Sequence, residues 1–243
     1  MEQSDRRAFL QGLALFWAGR YLGAAGSDER DKGTSEMSDG VWICYSLGGL
    51  ESLGKVTSDW MESKDDRKLV SAVKRANSAG EAVTRDAFPP EIYGQVTAKE
   101  ADYNFTDFFI ANALPVVSDR LATVLRRFDL GDASLYPVPV LKKDKATPVD
   151  GDWHFLNFGN VKHAFIPEQS GGSGFEQIEG TDYWIMGGYG KHDAIAVSTD
   201  ALSGPDIWVE PRCVSVFFLS NRVVSAIKAE GLTGFDVVKC KVV

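Results

Sequence analysis

Val117-Ser118-Asp119-Arg120-Leu121-Ala122-Thr123-Val124-Leu125-Arg126, in the middle of the chain, is answered near its end by Leu219-Ser220-Asn221-Arg222-Val223-Val224-Ser225-Ala226-Ile227-Lys228. In register, a Ser, an Asp or Asn, an Arg, an aliphatic, a hydroxyl, an aliphatic and a base recur. Ser118 and Ser220 are natural helix N-caps, because a Ser hydroxyl accepts from the free amides of a first turn. Leu121, Val124, Leu125 and Phe128 then follow at i, i+3, i+4 and i+7, which is one apolar stripe on a helix. Val223, Ala226 and Ile227 make a shorter stripe, and Gly231 stands where a helix would end. Each helix feeds a strand, so the spacing predicts one helix–strand unit used twice, at about residues 116–140 and 218–243.

The strands differ in kind. Leu135 to Val140 contains Pro137 and Pro139, which donate to no ladder, and this places it at a sheet edge. Phe235 to Val243 is richer in β-formers and is expected further inside, with a bulge where its alternation slips between Val237 and Val238. Upstream, Val41 to Leu47 reads as a buried strand. Thr57 to Ala79 reads as helix, with Trp60, Leu69, Val70 and Val73 as core contacts. Trp153 to Phe158 reads as an alternating strand with Trp153, Phe155 and Asn157 on one face. Tyr183 to Met186 and Ala194 to Ser198 are expected to pair around Gly187-Gly188-Tyr189-Gly190. Strands and helices mix without strict βα alternation, so the expected class is α+β, a mixed and mostly antiparallel sheet with packed helices.

Three segments make the sequence recognisable. Phe218-Leu219-Ser220-Asn221-Arg222 through Ala229-Glu230-Gly231-Leu232-Thr233-Gly234-Phe235 resembles the C-terminal signature of the eleventh immunity family of bacterial polymorphic toxin systems. Pro115-Val116-Val117-Ser118-Asp119-Arg120 looks like that family's other signature, and Asp152-Trp153-His154-Phe155-Leu156-Asn157-Phe158 like its connecting strand. The likeness runs over residues 105–243 and more loosely over 40–104. It implies a protein that binds and neutralises a toxin made by its own cell or its kin. The matching positions are structural and name no contact residue.

The chain has 243 residues, 44% of them hydrophobic, enough to bury a substantial core. Its 34 acidic against 26 basic residues give a net charge of −8. That disfavours nucleic acid as a ligand, which calls for a basic face. It suits a basic protein partner through steering of the encounter, and equally an ordinary acidic protein. Cys44, Cys213 and Cys240 show no metal-ligand spacing and read as small hydrophobes.

At the N-terminus, Ser4-Asp5-Arg6-Arg7-Ala8-Phe9-Leu10-Gln11 looks like a twin-arginine export signal, followed by a short apolar stretch and Gly23-Ala24-Ala25 as a cleavage point. The apolar stretch is shorter than the roughly 20 residues a bilayer needs, so no stable membrane insertion is expected. Residues 1–36 are thus a leader and linker before a single domain at 37–243, which implies a periplasmic protein. The alternative is translation from Met37 and a cytoplasmic one.

Chemistry is sparse. Gly49-Leu50-Glu51-Ser52-Leu53-Gly54-Lys55 has P-loop spacing, but Val56 stands where the magnesium-binding hydroxyl belongs. Ser173 lacks the last glycine of a nucleophile elbow, and His154, His163 and His192 fall at no metal spacing. Lys191-His192-Asp193 has the composition of a base with its orienting carboxylate, or of a solvated loop. No catalytic residue, metal ligand or cofactor is therefore assigned. For an immunity protein, the candidate toxin-binding residues are Asp182, Tyr183, Trp184, Tyr189 and Asp193. An exported hydrolase and an envelope adaptor are the competing readings.

Overall fold

In the computed structural model, which describes residues 39–48, 55–63, 66–171, 175–186 and 191–243, the two serines cap their helices. Each is in extended backbone, and its hydroxyl accepts from the amide three residues on: Leu121 N–H at 3.2 Å and Val223 N–H at 3.4 Å. Of the four helices in the described residues, two are short or peripheral, α1 (Asp59–Glu62) and α2 (Arg67–Ser78); the capped pair is α3 (Asp119–Leu125) and α4 (Asn221–Ala229). Gly231, at φ +60°, ends α4: its amide returns to Lys228 O and the Leu232 amide to Ile227 O.

Each capped helix follows a strand of a four-stranded antiparallel sheet. One sheet runs β4 (Phe108–Ala111), β5 (Leu114–Ser118), β8 (Trp153–Asn157), β6 (Ser134–Pro137). The other runs β12 (Ile207–Trp208), β14 (Phe217–Ser220), β1 (Val41–Cys44), β15 (Val237–Lys239). Smaller sheets flank them: β2 (Val56–Thr57), β3 (Ile92–Gly94) and β7 (Val140–Leu141); β13 (Cys213–Val214), β10 (Trp184–Met186) and β9 (Phe175–Gln177); and β11 (Ala196–Val197) with β16 (Lys241–Val242). The fold is α+β.

Side-chain alternation sorts these strands into layers. Val117, Phe217, Leu219 and Cys44 point into a central core with Leu121, Leu125, Val223 and Ile227 of the two touching helices. Val116 and Phe155 point the other way, toward Val70 and Val73 of α2. Val41, Ile43 and Phe218 also point outward, toward Phe165, Phe175 and Met186. Asn77 fastens the end of α2 to β8: its amide donates to Leu156 O, and its oxygen accepts from Phe158 N–H and Asn157 Nδ2.

Two buried carboxylates join the halves. Asp107, just before β4, accepts from Ser118 Oγ (2.7 Å), from the Thr233 amide (2.9 Å) and from Arg120. Asp206, just before β12, takes the Arg222 guanidinium on both oxygens (2.5 and 2.7 Å) and the Asp129 amide (2.8 Å). Burial pushes the Asp107 carboxyl up, but the bonds from Ser118, Thr233 and Arg120 outweigh it and hold it below the usual range.

Several expectations change. Phe235–Val243 is not an interior strand: β15 is an edge, because β1 holds the place beside β14. Its register against β1 runs without a bulge, and the slip is instead a change of sheet at Cys240, whose amide bonds Val41 O before β16 joins β11. Tyr183–Met186 and Ala194–Ser198 do not pair; their strands belong to different sheets. Thr57–Ala79 is no continuous helix, since Val56–Thr57 is a strand and α1 ends at Ser63, which is in extended backbone. Leu69 is 51% exposed, on the rim of α2 rather than in the core. Trp153–Asn157 is buried on both faces, because β8 lies between β5 and β6 and beneath packing on each side. The Pro137 segment is a sheet edge, as proline requires. The leader, Gly49–Gly54, Ser173 and Tyr189 lie outside the described residues.

Three outcomes follow from this packing. Asp206→Ala strips Arg222 of its partner and strands the Asp129 amide, so a urea titration should read a loss of about 2–3 kcal/mol. Gly234 is at φ +92°, and a Cβ there would lie 2.2 Å from Phe108 O and 2.8 Å from Thr106 Oγ1. Gly234→Ala should therefore destabilise by about 2 kcal/mol or more, with a lowered Tm. Asp107's folded pKa lies below its unfolded one, so its contribution is complete above about pH 4 and lost as pH falls through the folded value. Stability of Asp107→Asn, lower at neutral pH, should fall less steeply than the parent's below about pH 4.

Candidate functional site

The β9–β10 hairpin carries Asp182 and Tyr183 at its turn. Strand pairing of Trp184 with Gln177 and Met186 with Phe175 sets the register, and Gly180 (φ +73°) supplies the reversal. Within the turn the Ile178 amide bonds Tyr183 O (2.8 Å), Thr181 Oγ1 bonds Ile178 O (2.9 Å), and the Tyr183 amide bonds Thr181 Oγ1 (3.2 Å). The turn is thus held by its own bonds with Asp182 exposed and Tyr183 half-buried. Trp184 faces inward: its ring stacks on Phe175 at 5.7 Å and meets Phe165 edge-on at 5.4 Å. It is an anchor of the hairpin more than a contact surface.

Asp193 belongs to a different group. It is exposed at φ +60°, its amide bonds Lys239 O (2.9 Å), and the Lys239 amide donates to His192 Nδ1 (2.9 Å). His192 and Asp193 therefore hold the N–H and C=O of one residue of β15. The Nδ1 lone pair of His192 is committed to a backbone amide, and among the described residues no carboxylate bonds this ring. Its ring lies edge-on to Trp42 at 5.6 Å, and Lys228 Nζ stands 4.1 Å from the same indole, whose Nε1 bonds Asn221 Oδ1. Asp39, Gly40, Asp193 and Lys239 to Val242 rim a shallow hollow beside this cluster. Among the described residues no hydrogen bond or ion pair joins Asp182 to Asp193. The Trp42–His192–Lys228 cluster is not legible in the sequence, because its members come from three distant segments.

A second hollow, of about 530 Å³, is lined by Pro137, Pro139, Pro148, Trp153, His154 and Asp119 among others. Arg126 contacts His154 Nε2 at 3.2 Å. A guanidinium only donates, so Nε2 accepts and the ring proton sits on Nδ1. Burial first, then the Arg126 charge, holds the His154 pKa below its usual value, and the ring is neutral at pH 7. A histidine whose basic nitrogen is spent on an arginine positions the end of α3; it does not move protons.

Glu210 is buried beneath Arg212, which reaches both its oxygens at 3.1 Å, and the Phe165 amide also donates to it; His163 lies 3.7 Å away on the exposed side. Cys44, Cys213 and Cys240 are free and buried, and burial pushes each thiol up, Cys44 to about 12, so they pack as hydrophobes. Among the described residues no group of three or more His, Cys, Asp or Glu is arranged to hold a metal, and no helix is long and apolar enough to cross a membrane.

No curated protein matches this chain. The profile of the Immunity protein family (Imm11) matches residues 61–242, from α1 through both four-stranded sheets to β16 and leaving only β1 of those sheets outside. That span is well over half of the chain, and the protein belongs to the Immunity protein family (Imm11).

Proposed function

We propose that this protein binds a cognate toxin of a bacterial polymorphic toxin system and neutralises it, without catalysis, by covering the toxin's active surface. The observation that carries this reading is the family match over residues 61–242. The layered fold supports it, since a core packed on both faces of two sheets presents a rigid surface. Binding to a preorganised surface forfeits little ordering entropy. The scaffold is read as one strand–helix unit used twice, on the grounds of the shared cap, arginine and strand order. The leader supports export to the periplasm, with a cytoplasmic protein starting at Met37 as the alternative.

Neutralisation by occlusion calls for an interface of roughly 1,200–2,000 Å² with a few anchor residues. The candidates are Asp182 and Tyr183 at the hairpin turn, Asp193 beside the Trp42 cluster, and Tyr189; Trp184 holds the hairpin from within. A basic toxin would be steered by the acidic surface.

The test is affinity purification of the tagged chain from its own bacterium, with the partner identified by mass spectrometry. The expected result is one stoichiometric protein, toxic alone and harmless when co-expressed with this chain. With that protein in hand, Asp182→Lys and Asp193→Lys should each slow association at low salt by several-fold while leaving dissociation nearly unchanged. A chain that purifies alone, in cells shown to make the candidate toxin, sinks the immunity mechanism; unchanged association in both variants removes these residues from the interface.

A further inference from the structure

Arg67-Lys68-Leu69-Val70-Ser71-Ala72-Val73-Lys74-Arg75-Ala76-Asn77-Ser78, the whole of α2, contains four bases and no acid, in a chain whose net charge is −8. At about 100° per residue, the buried Val70, Val73 and Asn77 fix the inward side. Lys68, Ala72 and Arg75 then form the outermost row. Arg67, Ser71 and Lys74 lie along one flank, and Leu69 with Ala76 along the other. Apart from half-buried Ala76, these flank and outer-row residues are exposed.

The bases of α2 stand together on one helix without the carboxylate partners that several bases elsewhere have. Arg120, Arg126, Arg127, Lys142, Arg212 and Arg222 each pair with a carboxylate. Among the described residues none of Arg67, Lys68, Lys74 and Arg75 forms an ion pair; the single polar contact of the set is Arg67 Nη2 to Glu62 O at 3.5 Å. They do not stabilise the fold by pairing.

We propose that the outward face of α2 docks an acidic patch on a protein partner, and, resting on the immunity reading above, that this partner is the toxin. Charge fixes the choice of occupant. An acidic patch on an otherwise basic toxin is repelled by the acidic surface around α2 and accepted only at this face, so α2 selects orientation as well as partner. The apolar flank of Leu69 and Ala76, next to the outer row that carries Lys68 and Arg75, has the composition of an interface core rimmed by charge. An extended polyanion fits less well. The helix is about 18 Å long, and Asp59, Glu62 and Asp66 stand at its N-terminal end, where nucleic acid or an anionic bilayer would continue.

The test needs no toxin. A fluorescein-labelled acidic peptide alternating Glu and Leu, a short duplex DNA and phosphatidylserine vesicles are titrated with the full chain at low and high salt. The same titrations are run on the Lys68→Glu, Arg75→Glu double variant and on a Lys99→Glu control, with unfolding curves confirming the fold. The expected result is peptide binding that weakens with salt, falls roughly tenfold in the double variant and is unchanged in the control. Equal peptide binding by wild type and double variant overturns the proposal. Tighter, α2-dependent binding of DNA or of vesicles also overturns it, by naming another class of partner. If the peptide result holds while no toxin co-purifies, the docking face stands and the immunity mechanism is what fails.

Discussion

The structure turns on an exchange between two carboxylates. Asp107 opens one four-stranded sheet and Asp206 the other, and each holds the arginine in the first turn of its own sheet's helix. Each then accepts the backbone amide four residues past the end of the opposite helix: Thr233 for Asp107, Asp129 for Asp206. Neither bond can form until both sheets and both helices are in place. The carboxylates are buried, so an arrangement that satisfies one and not the other leaves a charge without its donors, which costs several kcal/mol. The exchange thus selects a single docking of the halves, where apolar packing alone would tolerate sliding.

What was legible in the sequence is what acts over short distances. Ser118 and Ser220 were readable as caps because a cap is a contact across three residues, and the stripe after Ser118 was readable because helical geometry imposes it. The prolines of Pro137 and Pro139 announced an edge for the same reason: proline's missing N–H is a local property. Asp107 and Asp206 were silent, since the amides they accept lie 126 and 77 residues away. Nothing in the composition around a lone aspartate marks such a partner. The wrong strand pairings have the same origin. β10, β11 and β16 are two or three residues long, too short for alternation to specify a neighbour, and their pairings are settled by the hydrophobic contacts of Phe165, Phe175 and Met186.

The candidate site was legible in part. Asp182 and Tyr183 stand at an exposed turn, as a Gly- and Asp-rich stretch suggests. Trp184 is turned inward because the pleat sends alternate side chains to opposite faces, and its face meets Phe165 and Phe175. Asp193 looked like a neighbour through sequence proximity but is tied instead to Lys239, in a cluster assembled around Trp42. The bias of α2 was in plain view as bases without acids. Leu69, expected in the core with Val70 and Val73, lies instead on the exposed flank of the helix.

These facts bear on how a partner-binding protein can keep a demanding core and still vary its surface. The exchange of carboxylates, the caps and the two large sheets lie in the middle layers. The β9–β10 hairpin, the His192–Asp193 segment and α2 lie outside them, each fastened by a few contacts of its own: Trp184 on Phe175, His192 on the Lys239 amide, Asn77 on β8. A substitution in Asp182 or Lys68 touches none of the bonds that lock the halves. Recognition can therefore change at the periphery at almost no cost in stability, while a change at Asp107 or Asp206 is felt everywhere. The positions that define the fold are chosen by packing, and those that choose a partner answer to the partner alone.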